Sequence, residues 1–316
     1  MPVDAKDNFR LGIAFIIFGM FCITVNDTII KQFSDRYPLH QMVFLRSVIG
    51  ICFSFGLLQF EGGFRALRTQ QPILHFVRGL CLVAANMAFF LALATTPLAD
   101  VTALFFVAPL FITILSIPFL GEKVGIRRFS AVIVGFIGVL IMLRPGSGGD
   151  GEVDRLTLLL PIAAAFAYSC MQILTRKLAL DAPASAMGVY TQGTFILVGA
   201  IFWLVAGDGR FAEGLESQSL IFLLRAWEWP TVGEWPLIAL LGLLSAGISY
   251  SLAQAYRSAD AATIAPFEYI ALPMAIFWGW AVFGDLPDEW VLAGSALIAA
   301  SGIYVFIREK QRAEER

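Results

Sequence analysis

Charge is what this sequence lacks most. Asp, Glu, Lys and Arg together make up only 15% of its 316 residues, against 58% hydrophobic ones. A water-soluble domain carries about a quarter of its residues as charges. A chain this depleted cannot cover its own apolar surface with polar groups, so a soluble globular fold is excluded. The mean hydropathy of +0.77 names lipid as the missing solvent.

Histidine is scarcer still: His40 and His75 are the only two, and they are expected near opposite membrane faces. No HExxH, Gly-x-Ser-x-Gly or P-loop pattern occurs, so a membrane enzyme has no recognisable machinery here. Cys22, Cys52, Cys81 and Cys170 stand isolated inside apolar stretches, a spacing that fits neither a disulfide framework nor a zinc site. No cofactor and no metal are expected. The 22 basic residues are outnumbered by 24 acidic ones, which leaves no footprint for nucleic acid. A channel lacks a filter-like element, and a sensor lacks a soluble signalling domain.

What is present is a series of long apolar runs. About 20 residues at 1.5 Å rise cross the hydrocarbon core of a bilayer. Ten windows are predicted as spans: 11–30, 41–59, 73–94, 98–119, 129–143, 156–174, 185–206, 235–256, 261–283 and 291–307. The fifth is short and ends at Arg144-Pro145-Gly146. Turns such as Gly121-Glu122-Lys123 and Gly284-Asp285-Leu286-Pro287 separate the runs. The first run follows Lys6 and Arg10 like a signal peptide, but its length and the lack of a small-residue cleavage site predict a retained span. The connector 207–234 carries Ile221-Phe222-Leu223-Leu224, and Trp227, Trp229 and Trp235 cluster just after it. That pattern predicts a segment lying along the interface.

Basic residues in the connectors set the orientation. With the N-terminus inside, 14 of the 22 Lys and Arg lie on the cytoplasmic side and six opposite, with Arg46 and Arg78 inside spans. Both termini are therefore expected in the cytoplasm, in a multi-pass protein of the cell inner membrane.

The chain also repeats itself. At an offset of 164, Pro109 falls on Pro273, Gly138 on Gly302 and Arg144 on Arg308, and the Gly-acid pairs Gly121-Glu122 and Gly284-Asp285 fit at 163. Earlier spans match more weakly, with Lys31 over Lys177 at 146. Five spans per repeat reverse the orientation of the second. The expected fold class is an all-α membrane protein of ten transmembrane helices, built as two inverted five-helix repeats over 10–144 and 156–308. Inverted repeats of this kind occur in secondary transporters, which bind solute near the midplane between the halves.

Polar groups inside the spans are candidate site residues, because burying them in lipid is costly. Asn26 and Asp27 lie near the outer end of the first span, with Lys31 one turn beyond Asp27 as a possible ion-pair partner. Arg46 in the second span and Arg78 in the third keep their charge. Each either attracts an anionic solute group or snorkels to a surface, and Arg46 can instead pair with Asp27 at a similar depth. Glu268 falls between Pro266 and Pro273, which free backbone carbonyls and bend the ninth span. It reads either as a proton carrier or as a static ion pair with Arg78. Asn86, Tyr168 and Gln172, Tyr190 and Gln192, and Tyr250 and Gln254 add uncharged groups. Each alone reads as interhelical glue, and together they suggest a cavity for a planar polar solute. Small residues in the fifth span (Gly135, Gly138) and the tenth (Gly294, Ala296, Ala299, Ala300, Gly302) allow close helix contact, within one chain or across a homodimer.

In order and spacing, Pro97-Leu98-Ala99-Asp100, Ala108-Pro109, Gly121-Glu122-Lys123 and Leu143-Arg144-Pro145-Gly146 resemble the EamA-like group of the drug/metabolite transporter superfamily. So do Ala265-Pro266-Phe267-Glu268-Tyr269 and Gly284-Asp285 in the second half, where Asp285 replaces the commoner Glu. The resemblance covers residues 10–308 and implies movement of a small metabolite, proton- or gradient-linked, in a chain that is not an enzyme. The Pro-Phe-Glu-Tyr segment resembles that of riboflavin or S-adenosylmethionine importers. An amino-acid or drug exporter of the same fold is the alternative, and a non-transporting scaffold the more distant one. The binding or coupling set so read is Glu268, Arg46, Arg78, Asn26, Asp27, Asn86, Tyr168, Gln172, Gln192, Tyr250 and Tyr269. The partners are a small solute and the lipid bilayer.

Overall fold

The computed structural model describes residues 5–121, 126–143, 155–258 and 261–314, and every regular element among them is helical. Helices α1 (Ala5–Phe33), α2 (Leu39–Phe60) and α3 (Pro72–Leu93) follow one another, with a 3-10 turn over Gly63–Leu67 before the third. Next come α4 (Leu98–Phe105), α5 (Ala108–Leu120) and α6 (Ile126–Leu143). The second half runs through α7 (Arg155–Lys177), α8 (Ala184–Ala206), the short α9 (Gln218–Leu224) and α10 (Trp235–Ser258). A broken rod follows: α11 (Ala261–Ile264), a 3-10 stretch (Ala265–Ile270), α12 (Ala271–Trp278) and a π turn (Gly279–Phe283). α13 (Glu289–Glu314) closes the described chain. The Arg144-Pro145-Gly146 stop and the pair Glu122-Lys123 lie outside the described residues.

Among the described residues, seven segments are long and apolar enough to cross a membrane: Leu11–Phe33, Leu39–Phe60, Pro72–Leu93, Leu98–Leu120, Thr157–Lys177, Ala184–Ala206 and Trp235–Ser258. Shorter apolar helical stretches, Ile133–Met142, Phe267–Phe283 and Glu289–Ser301, fall in the fifth, ninth and tenth predicted windows. Large apolar side chains such as Phe18, Phe53, Leu140 and Leu204 face outward, as lipid-facing surfaces require.

The two interrupted rods are the local key to the fold. Pro109 stands in the first turn of α5, where its missing N–H removes no helical bond, and the chain breaks between α4 and α5 at 106–107. The junction between the 3-10 stretch and α12 falls at 270–271, the same place at the 164-residue offset. Each rod then ends on a left-handed glycine, Gly121 (φ 70°) and Gly284 (φ 73°), a conformation that costs a residue without Cβ nothing.

Helices before residue 150 pack closely against helices after it. α1 lies against α10, α3 against α7 and α8, α2 against α8 and α10, and α6 against α13. In the last pair the backbones touch: a Cβ on Gly138 would sit 2.7 Å from the Gly294 carbonyl oxygen, and one on Gly294 would sit 2.6 Å from that of Gly138. The small-residue faces of the fifth and tenth predicted spans therefore meet within one chain. The connector after α8 differs from the interfacial segment expected. Phe222 on α9 is buried, and Trp227 packs against Phe44 (5.4 Å), His40 (5.8 Å) and Trp203 (5.9 Å), while Trp229 remains exposed.

Candidate functional site

A cavity lies inside the bundle, bounded by α1–α4, α7, α8, α10 and the 3-10 bend before α12, with about 1090 Å³ of empty space when its opening to solvent is counted. Asn26, Asp27, Arg46, Arg78, Asn86, Tyr168, Gln172 and Glu268 line it, so eight of the eleven sequence-predicted residues converge on one space. Gln192, Tyr250 and Tyr269 do not line it. Gln192 Nε2 donates to Ser245 Oγ on α10 (3.0 Å), and Tyr250 OH donates to Glu61 Oε1 (3.0 Å). Tyr269 is buried against Phe106 (ring centroids 5.4 Å apart), and its hydroxyl has no partner.

Three charged centres surround the space. At the first, Arg46 Nη1 donates to Asn26 Oδ1 (3.0 Å) and Nη2 to Asn86 Oδ1 (2.9 Å). Asn26 Nδ2 donates in turn to Asp27 Oδ1 (3.0 Å), so the guanidinium reaches a carboxylate through one amide. Phe195 and Phe90 flank the same cation at 5.4 and 5.8 Å. The expected Asp27–Lys31 pair is absent. Lys31 Nζ turns instead to the carbonyls of Thr96 (2.7 Å) and Leu93 (3.4 Å), at and just beyond the C-terminal end of α3.

At the second centre, Arg78 Nη1 donates to Thr175 Oγ1 (3.2 Å), and Nη2 donates to Met187 O (2.6 Å) and Thr191 Oγ1 (2.7 Å). It thereby ties α3 to α7 and α8. At the third, Glu268 Oε1 accepts from Tyr168 OH (2.9 Å) and Tyr256 OH (2.6 Å), and Gln172 Nε2 donates to the Tyr168 hydroxyl (2.6 Å). The alternative ion pair between Glu268 and Arg78 is not formed; two phenols hold the carboxyl instead. Tyr168 and Gln172 do act together at i, i+4, as their spacing predicts.

Sequence reasoning missed Tyr256, because a tyrosine near the end of an apolar run reads as an interfacial anchor. It also passed over Thr102, Thr175, Thr191, Ser245 and Ser249, which line the cavity from four helices. A partial signal existed: at the 146-residue offset Asn26 falls on Gln172 and Arg46 on Gln192.

Polar loops close both ends of the bundle. At the end where α1 begins, Asp181 accepts from the Thr69 hydroxyl and Gln70 N (3.2 Å), and lies 2.9 Å from His75 Nε2. These bonds, with Thr69 foremost, hold its carboxyl below the usual range. Beside it Glu61 Oε2 accepts from Ser185 N (2.9 Å) at the start of α8. At the opposite end Glu234 gathers Thr231, Tyr37 (2.6 Å) and Arg36, and these partners bring its pKa down to about 2. The Tyr37 hydroxyl is pushed up, by burial first and then by that carboxylate.

A helical bundle that crosses a membrane and encloses a charged, hydroxyl-rich cavity at its centre is built as a transport protein. The profile of the EamA-like transporter family matches residues 10–144. The S-adenosylmethionine uptake transporter of Rickettsia bellii is 26% identical over 310 residues, 98% of this chain and 97% of that one. The riboflavin transporter of Rhizobium johnstonii is 31% identical over 276 residues, covering 87% and 83%. The pseudopaline exporter of Pseudomonas aeruginosa is 26% identical over 299 residues, covering 94% and 96%. A solved crystal structure shares the fold at a TM-score of 0.65, with 19% identity over 98% of this chain and 99% of that one. The chain belongs to the EamA-like transporter family of the drug/metabolite transporter superfamily.

Proposed function

We propose that this chain is a secondary transporter of a small polar metabolite, working by alternating access across the cell inner membrane with Glu268 as its proton-exchanging group. The observation that carries this reading is the central cavity, where one carboxyl is held by neutral tyrosyl hydroxyls rather than by a cation and two arginines line the same space. A carboxyl without a fixed cation can gain or lose a proton without breaking an ion pair, as a coupling group must.

The reading includes ten crossings in two inverted five-helix halves, 10–144 and 156–308. Packing supports it. Exchanging the halves turns the α1–α10 contact into α7–α3 and leaves α2–α8 and α6–α13 unchanged. The matched breaks at 106–107 and 270–271 support it as well, because discontinuous helices at corresponding positions mark carrier sites. The Lys and Arg asymmetry of the connectors supports cytoplasmic termini.

For the solute, the relatives supply candidates of two directions: S-adenosylmethionine and riboflavin for uptake, and pseudopaline for export. An amino-acid or drug exporter is the second reading, favoured by the exporter among the relatives. The test is flux of a metabolite panel into proteoliposomes with and without a proton gradient. Saturable, gradient-stimulated flux that Glu268→Gln uncouples is the expected result. Gradient-driven flux unchanged by Glu268→Gln removes that residue as the proton carrier, and no saturable flux of any solute removes the carrier reading.

A further inference from the structure

We infer that Arg78 is the anchor for an oxyanion, carboxylate or phosphate, carried by the transported solute; this rests on the carrier reading of the cavity. The argument begins with how two equally buried arginines are answered. Arg46 and Arg78 each retain 4% of their surface, and both line the cavity. Arg46 has Asp27 one amide away and two phenylalanine faces beside it. Arg78 has only neutral acceptors: two threonine hydroxyls, the Met187 carbonyl and, at 3.9 Å, the Met171 sulfur. Its Nε–H, like that of Arg46, has no acceptor among the described residues, so the two differ in counter-charge alone.

The acids nearby are engaged elsewhere. Glu268 takes its hydrogen bonds from Tyr168 and Tyr256, and Asp181 takes its own from Thr69, Gln70 and His75. Among the described residues no ion pair reaches Arg78. A guanidinium keeps its charge, and a buried charge without a counter-charge is costly, so such residues mark where a ligand supplies one. Carboxylate and phosphate match its planar donors best.

The threonines set the cation rather than neutralise it. Thr175 and Thr191 donate their hydroxyl protons to the carbonyls of Met171 and Met187 (2.9 Å each), which turns oxygen lone pairs toward the guanidinium. Along α7, Thr175 at the Arg78 centre and Tyr168 at the Glu268 centre are seven residues apart. That is roughly 10 Å of helix rise, enough for a solute bound by its anion at Arg78 to extend toward Tyr168 and Phe105. A solute without an anionic group leaves the Arg78 charge unanswered. S-adenosylmethionine bears a carboxylate and riboflavin bears no anion, so of these two solutes only the first answers the Arg78 charge.

The test uses the purified full-length chain in proteoliposomes. Radiolabelled S-adenosylmethionine, the amino acids, riboflavin and its phosphate ester are the probes, and each carboxylate is paired with its carboxamide as competitor. The expected result is saturable flux of an oxyanion-bearing solute, inhibited by other carriers of that group and at least tenfold less by the neutral carboxamide. Arg78→Gln is expected to raise KM for the anion at least tenfold, and Arg78→Lys to restore part of it. Comparable thermal unfolding of the two variants excludes a folding defect as the cause. The carboxylate and phosphate arms distinguish the two sources of the anion. Saturable riboflavin flux indifferent to carboxylates overturns the inference and leaves the carrier reading standing. Equal inhibition by carboxylate and carboxamide also overturns it, in wild-type protein and independently of any variant. Absence of saturable flux for every probe overturns both.

Discussion

Arg46 and Arg78 are the same residue at the same burial on neighbouring helices, and their surroundings are opposite in kind. The Arg46 centre carries its own counter-charge: amide, amide, carboxylate and two aromatic faces surround it, with its Nε–H left unanswered. The Arg78 centre is held in place but left electrically open. Burial alone therefore does not identify a binding residue; the missing counter-charge does. On the proposed reading, the first arginine serves the frame of the bundle and the second serves its cargo.

Stability should separate the two most widely. Arg46→Met leaves Asp27 without its cation and two asparagine oxygens without a donor. Removing one partner of a buried ion pair costs about 3–5 kcal/mol. Arg78→Met removes hydrogen bonds to neutral acceptors and should cost less, about 1–3 kcal/mol. Thermal unfolding in detergent reads both, and adding Asp27→Asn to the Arg46→Met chain should recover part of its loss. Equal losses at the two sites would erase the distinction.

Glu268→Gln sharpens it next. A proton on Glu268 and an anion on Arg78 carry opposite charges in one poorly screened cavity, so each favours the other's binding. The neutral glutamine mimics the proton-loaded state. Anionic solute should then bind as tightly as at the wild-type protein's best pH, exchange should persist, and accumulation driven by a proton gradient should cease. Concentrative uptake at the wild-type level would break the link.

A smaller effect is expected from two tyrosines. Tyr256→Phe removes a donor to the Glu268 carboxyl, an interaction worth about 1.5–3 kcal/mol when the acceptor is charged. It should alter the pH profile of transport. Tyr250→Phe affects a bond to Glu61 at the helix end and should leave that profile alone, although both phenols lie on α10. Flux measured across a pH series decides between them.

The smallest effect lies outside the spans. Glu234 is brought from 4.5 down to about 2 by Thr231, Tyr37 and Arg36. A lowered folded-state value means its contribution to stability is complete above about pH 4.5 and is lost as pH falls toward 2. The unfolding difference between Glu234→Gln and the parent chain should therefore be present at neutral pH and shrink through that window.

Much of the fold was legible because lipid leaves few solutions. Long apolar runs, proline at their starts and glycine at their ends mark helices almost residue by residue, and the matched prolines Pro109 and Pro273 mark the broken rods. Polar residues that converge on the cavity were legible for the same reason, since Arg46, Arg78 and Glu268 are too costly to face hydrocarbon. Partner choice was not legible. Nothing in the spacing shows that Lys31 bonds to carbonyls rather than to Asp27, because Thr96 comes to it only through the fold. Gln192 and Tyr250 have the chemistry of cavity residues, yet Ser245 and Glu61 take them up. Tyr256 drew no attention because its partner, Glu268, comes to it only when the chain turns back after α10.

The central claim is that this cavity opens alternately to the two sides of the membrane. Ser249 lines it from α10 and offers a conservative place for a single reporter thiol. Ser249→Cys, in a chain whose four native cysteines are replaced by alanine, is to be labelled with a membrane-impermeant maleimide from each face of the proteoliposome in turn. Labelling from both faces, shifted in rate by a transported solute, is the result expected. Labelling from one face only, unaffected by any solute the protein carries, would contradict the account.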